Sequence, residues 1–370
     1  MATISEPVMR IILTLFFLSA AYAQQPQPQW FELPSKQLEI NGLPWYAENQ
    51  NEWYRLPAAL KDRFPTAVWN LAKSPSGGRI RFRTDSQVVA VRVEYPSPPD
   101  MRNMHAFGQT GLDLYADGLY VGSAIADKEA TPGKVYEHIY FQLRERPRAM
   151  RDIVLYLPLY KPAKVISVGV DKDAKIERAR EFAASKPVVF YGTSITQGGC
   201  ASRSGMSYQA ILGRKLNLDF VNLGFSGNGK GEADVANAVA AIDASAFVLD
   251  FAQNNPTVES LRDVYAPFVD ALRSKHPRTP IIAITPIYAA SDDWSKEALA
   301  KKNGMRELIR KVVADRIAAG DGNLQLVEGT DLLGPAQGDG LVDGVHPNDL
   351  GFQWMADGLS ARLRQVLGVK

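Results

Sequence analysis

Downstream of Pro187 the chain alternates short apolar runs with longer amphipathic stretches, and this alternation constrains its fold more than any other feature. The runs are Val188-Val189-Phe190-Tyr191, Phe220-Val221-Asn222-Leu223, Ala246-Phe247-Val248-Leu249-Asp250, Ile281-Ile282-Ala283-Ile284 and Leu324-Gln325-Leu326-Val327. Helical periodicity follows over residues 233–242, 261–274, 295–319 and 350–367. Nearly continuous apolar strands separated by amphipathic helices predict a parallel sheet covered on both faces.

The upstream half has a different pattern. Between Trp30 and Val170 short period-2 segments such as Arg79-Ile80-Arg81-Phe82-Arg83 and Val89-Ala90-Val91-Arg92-Val93 are separated by Pro, Gly and Asp, which predicts an antiparallel β-sandwich. Tyr115-Ala116-Asp117-Gly118-Leu119-Tyr120 is the expected hairpin, and the Ala-, Arg- and Glu-rich run 174–184 has the composition of a helical linker. With 370 residues two domains are expected. We place a sandwich at 24–173, a linker at 174–186 and a catalytic domain at 187–370.

Arg10 precedes the apolar run Ile11 to Leu18, and Ala21-Tyr22-Ala23 precedes Gln24. This predicts a secretory signal peptide over residues 1–23, with Met9 an alternative start, export to the periplasm or medium, and no membrane span after cleavage. Forty-two Lys plus Arg against 40 Asp plus Glu leave a formal charge of +2, which gives no footprint for nucleic acid or acidic lipid. One cysteine and four histidines without paired spacing predict neither a disulfide nor a metal site, and no cofactor is expected.

In a doubly wound sheet ligands sit beyond the carboxyl ends of the strands. There the sequence reads Gly192-Thr193-Ser194-Ile195, then Gly224-Phe225-Ser226-Gly227-Asn228, then Ala252-Gln253-Asn254-Asn255, and finally Asp343-Gly344-Val345-His346. In this order the residues resemble the SGNH (GDSL-type) hydrolase family, from about Lys186 to the C-terminus. The sandwich, with Glu52-Trp53-Tyr54-Arg55-Leu56-Pro57 and Gly108-Gln109-Thr110-Gly111-Leu112-Asp113, resembles the N-terminal domain of one branch of that family. The resemblance implies a flavodoxin-like three-layer α/β hydrolase domain preceded by an antiparallel, jelly-roll-like sandwich. It places the nucleophile on Ser194, the general base on His346 with Asp343 as its orienter, and the oxyanion hole on Ser194, Gly227 and Asn254. The family's Gly-Asp-Ser-Leu reads Gly-Thr-Ser-Ile here, and its Gly-x-Asn-Asp reads Ala-Gln-Asn-Asn, so Asn255 stays open as the alternative amide.

The chemistry is coherent without the family. A serine hydroxyl needs a base, the base needs a group that sets its tautomer, and the developing oxyanion needs fixed donors. Each residue also has a plainer reading: serine at a strand-to-helix turn commonly caps the helix, and Asp-x-x-His commonly forms a solvated loop. Their joint occurrence at successive strand ends favours the site. Cys200 is the rival nucleophile, His105 reads as a loop residue whose segment the resemblance sets at the expected cleft, and His276 reads as a helix C-cap. The expected function is a secreted esterase acting on small acyl esters, acetyl foremost, of carbohydrates. A lipase, thioesterase or acyltransferase on the same site is one alternative. A mainly carbohydrate-binding protein using Trp45, Trp53 and Trp69 is another.

Overall fold

The structure, a computed structural model, describes residues 28–140 and 142–369, so the expected signal peptide lies outside the described residues. Among the described residues, ten strands build the N-terminal half: β1 (Gln29–Glu32), β2 (Glu39–Asn41), β3 (Arg79–Thr84), β4 (Val89–Glu94), β5 (Leu112–Ala116), β6 (Leu119–Ala124), β7 (Val135–Tyr140), β8 (Arg151–Tyr156), β9 (Lys164–Val170) and β10 (Ile176–Glu177). They pair antiparallel in two sheets, β1-β9-β4-β7 and β10-β3-β8-β5-β6, with β2 on β3. Val91 and Val168 of one sheet meet Phe82, Leu114 and Leu155 of the other in a single apolar core, so the two sheets form the expected sandwich. The β5–β6 hairpin turns on Asp117 and Gly118 at φ 50° and 78°, the paired left-handed conformation that matches strand twist.

The second half contains β11 (Val188–Gly192), β12 (Phe220–Gly224), β13 (Ala246–Asp250), β14 (Ile281–Ile284) and β15 (Leu324–Val327), all parallel in the order β12-β11-β13-β14-β15. Alternate side chains serve opposite faces. Val189, Tyr191, Leu223 and Phe247 pack under helices Ala233–Ala240, Val258–Lys275 and Lys296–Ala318. Val188, Phe190, Val248 and Ile282 pack under helices Tyr208–Leu216 and Asp349–Leu367. The chain reverses direction across the sheet at β11, so the carboxyl ends of β11 and its neighbours form the topological switch point. No described helix is long and apolar enough to cross a membrane.

The run 174–184 is not a helix. Ile176 and Glu177 pair with Thr84 and Arg83 as β10, and Phe182 lies under the Arg81 guanidinium at 3.6 Å. An isolated helix of this length is marginal in water, and the free edge of β3 offers backbone hydrogen bonds instead. Two of the three tryptophans that the carbohydrate-binding alternative needs are not available for stacking on sugars. Trp45 and Trp53 are buried, and Trp69 is half-buried with Tyr54 edge-on at 5.4 Å.

The two halves are joined by polar groups that finish an open sheet edge. Strand β12 is an edge strand. Its Asp219 side faces β11, because Val188 N–H donates to the Asp219 carbonyl at 2.9 Å. By strand alternation the carbonyls of Phe220, Asn222 and Gly224 face outward. Arginines of the N-terminal half cover all three. Arg79 donates to Phe220 O at 3.1 Å, and Arg55 donates to Asn222 O at 3.1 Å and Gly224 O at 2.6 Å. Arg55 is fully buried and also donates to Ser74 O and Leu71 O, each at 2.8 Å. A second clamp is Asp113, which is completely buried and accepts from Gly205 N–H at 2.7 Å and Arg203 at 3.1 Å.

Candidate active site

Ser194 is the first residue of the short helix Ser194–Gln197 that follows β11. The cap is not Ser194 but Thr193, whose hydroxyl accepts from Ile195 N–H at 3.2 Å. The Ser194 hydroxyl is thereby left for another partner, and His346 Nε2 lies 2.9 Å from it. The serine carbonyl is held by Gly199 N–H at 2.7 Å and the Tyr160 hydroxyl at 3.2 Å.

His346 comes from the loop that enters helix Asp349–Leu367, and Asn348 caps that helix. The loop is pinned by Val342 N–H on the His346 carbonyl at 2.8 Å. Asp343 folds back on its own loop. Its Oδ1 accepts from Val345 N–H at 3.1 Å and His346 N–H at 2.9 Å, while Oδ2 lies 2.8 Å from His346 Nδ1. One further donor comes from far upstream: Asn103 Nδ2 donates to Asp343 Oδ2 at 2.9 Å. Partial burial works against the Asp343 charge, but the His346 backbone, the Asn103 amide and the imidazole outweigh it and hold the carboxyl well below its usual range.

The expected oxyanion donors gather around the end of β12. Gly227 has φ 67°, and a Cβ added there would meet nothing within 4 Å, so this turn faces open space. Among the described residues the backbone N–H groups of Ser194 and Gly227 make no hydrogen bond. Asn254, half-buried, ties its amide to the same loop by donating to Phe225 O at 3.1 Å and Gly229 O at 3.2 Å. Asn255 is buried and turns back to Phe251 O at 3.5 Å. Of the two amides, Asn254 is the one attached to the Gly227 loop.

Cys200 lies beside the triad-like group. Its Sγ, an Asp343 oxygen and a His346 ring nitrogen all fall within 4.8 Å of one another, a set that could in principle hold a metal. Both imidazole nitrogens already face partners, so a metal would compete with Asp343 or Ser194 for them. Burial, with the Asp343 charge adding to it, pushes the Cys200 thiol up to about 12, which leaves little thiolate at neutral pH. His105 does not reach the triad. It caps helix Ala106–Thr110 and stacks on Phe107 at 5.2 Å. Its neighbour Asn103 makes the contact instead, and no spacing in the sequence could have singled it out. His276 ends helix Val258–Lys275, as a C-cap should.

Comparison with known proteins matches residues 185–364 to the GDSL-like Lipase/Acylhydrolase family and residues 28–176 to the N-terminus of Esterase_SGNH_hydro-type, a family model headed GxDLY. The latter pattern is present as Gly111-Leu112-Asp113-Leu114-Tyr115, so its aspartate is the buried interdomain clamp. A putative GDSL-like lipase from Bacteroides ovatus is 33% identical, with 92% of this chain and 99% of that one covered at a TM-score of 0.81. The salicylyl-acyltransferase SsfX3 from a tetracycline biosynthetic pathway shares the fold at 23% identity, covering 92% and 98% at 0.77. An acetyl xylan esterase from the rumen bacterium Butyrivibrio proteoclasticus shares it at 14%, covering 79% and 90% at 0.57. The search of curated proteins finds no significant match. With both halves matched and a close relative aligned over nearly its whole length, the chain belongs to the GDSL-like (SGNH) hydrolase family and is a serine esterase of its two-part branch.

Proposed function

We propose that this esterase is exported and removes small acyl groups, acetyl foremost, from carbohydrates through an acyl-enzyme on Ser194. The observation that carries the reading is the continuous line Asp343 Oδ2, His346, Ser194 Oγ, with contacts of 2.8 and 2.9 Å. Asp343 accepts from Nδ1–H and so presents Nε2 as a base. Ser194 Oγ attacks the ester carbonyl while its proton passes to Nε2. The carbonyl oxygen, now negative, takes hydrogen bonds from the N–H groups of Ser194 and Gly227 and from the Asn254 amide, which shares one of its loop carbonyls to do so. Collapse expels the alcohol, protonated by His346. Water, deprotonated by the same imidazole, then releases the acid and restores the serine.

The sugar-ester substrate is supported by the fold shared with the acetyl xylan esterase. Export rests on the leader-like residues 1–23. Burial of Trp45 and Trp53, with only Trp69 half-exposed, counts against the mainly carbohydrate-binding alternative. Acyl transfer to another alcohol is the second reading, favoured by the fold shared with the acyltransferase over 92% of this chain. The test is turnover of acetylated oligosaccharides, long-chain esters and thioesters by the purified protein, with and without added alcohol acceptors. Preferential acetate release supports the proposal, and Ser194→Ala should lower kcat by roughly three orders of magnitude or more. Preference for long acyl chains, or a serine-directed phosphonate found on Cys200, would overturn it.

A further inference from the structure

A cavity of about 590 Å³ opens between the sandwich and the hydrolase sheet, away from Ser194. It is lined by Arg79 and Arg81 of β3, Arg180 and Phe182 of the segment after β10, Arg214 near the end of helix Tyr208–Leu216, and Phe220 at the start of β12. The parallel strands run from this end of the sheet toward the Ser194 end. Four residue steps of about 3.3 Å along β12 therefore put Gly224 roughly 13 Å beyond Phe220.

The charges lining it do not balance. Arg79 is paired with Asp219, and Arg180 with Asp152 at 3.1 Å. Asp152 also takes Arg83 at 3.2 Å, and the other lining carboxylate, Asp117, accepts from Asp152 N–H at 2.9 Å. Arg81 and Arg214 have no carboxylate within 4.0 Å among the described residues. Arg81 is only 7% exposed, and among the described residues its one side-chain hydrogen bond is from Nη2 to the Arg180 carbonyl at 2.6 Å. Burial first, and then repulsion from Arg79, destabilise its charge, and the more distant Glu39 and Asp219 carboxylates offset only part of this. Arg214 Nη1 is buried with no hydrogen-bond partner among the described residues. Both guanidinium faces rest on rings, Arg81 on Phe182 at 3.6 Å and Arg214 on Tyr115 at 4.3 Å. Stacking occupies the face of a guanidinium and leaves its in-plane N–H donors for an oxyanion, the partner whose geometry they fit.

We propose that this cavity binds the oxyanion of a small molecule, a carboxylate or a phosphate, with Arg81 and Arg214 as its charged ligands and Phe182 and Tyr156 against its apolar part. The site is independent of the ester chemistry, so neither reading depends on the other. The test is calorimetric titration of the full chain with inorganic phosphate, with glucuronate and with glucose as the neutral control. Phosphate or glucuronate should bind with a Kd of about 1 mM or tighter, and glucose should not. Arg81→Gln and Arg214→Gln should each weaken binding about tenfold or more while leaving acetyl-ester kcat unchanged. Phosphate alone binding points to a phosphorylated ligand, and glucuronate alone to a carboxylated one. If Arg81→Gln does not fold, the half-buried Arg214→Gln carries the test. Absence of binding by both anions up to about 10 mM, or binding indifferent to both substitutions, would overturn the proposal.

Discussion

Replacing Arg55 by methionine tests whether the N-terminal half is a working part of the hydrolase. Four hydrogen bonds are removed at once. The Leu71 carbonyl keeps the Ser74 N–H at 3.1 Å and the Ser74 hydroxyl at 3.0 Å. The carbonyls of Ser74, Asn222 and Gly224 keep no other partner among the described residues. At about 1–3 kcal/mol for each buried carbonyl left unpaired, the loss is about 3–9 kcal/mol, and release of the guanidinium's own desolvation cost offsets part of it. A net destabilisation of about 3–5 kcal/mol corresponds to a Tm lowered by roughly 4–7 °C in a protein of this size. Because Gly224 leads directly into the Gly227 loop, kcat on an acetyl ester should also fall about tenfold or more. The assay is calorimetric melting with kinetics on the same samples, and Arg63→Ala, which breaks an exposed pair with Asp234, is the control expected to cost under about 1 kcal/mol. If Arg55→Met melts within about 2 °C of the parent and keeps its kcat, the outward carbonyls of β12 do not need the arginine and the argument is wrong.

Asn103→Ala should lower kcat/KM about tenfold without unfolding the protein, since it removes only the amide that steadies Asp343. The same change has a pH signature. The folded Asp343 carboxyl titrates below its ordinary value of about 4, so its stabilisation is complete above that pH and is lost as pH falls through the lower folded value. Without Asn103 the acid limb of stability should move upward, and an unchanged acid melt would count against the reasoning. Asn254→Ala should cost roughly 10²- to 10³-fold in kcat with little change in KM, and a crippled Asn255→Ala beside an active Asn254→Ala would shift the amide by one residue. Cys200, buried and pushed up to about 12, should resist iodoacetamide at pH 8 in the native protein, and Cys200→Ser should retain activity; rapid alkylation seen by mass spectrometry would contradict this.

The sequence by itself determined what depends on neighbours in the chain. Apolar runs buried on both faces announced the parallel strands, because period and composition are local properties of a strand. Asp343 and His346 share one short loop whose turn is set by Asp343 accepting its own downstream N–H groups, so Asp-x-x-His was legible as a unit. Only the tertiary structure decided the rest. The 174–184 run has helical composition yet pairs with β3, because the open sheet edge offers more than an isolated helix can. Arg79 and Arg81 alternate with apolar residues as a solvent face would, but that face is buried against the hydrolase half, where Arg79 completes the edge of β12. Asn103 stands 240 residues from Asp343 and reaches it only because the two halves dock. A contact between segments so far apart leaves no period, spacing or composition in either one, and it exists only once the chain has folded around it.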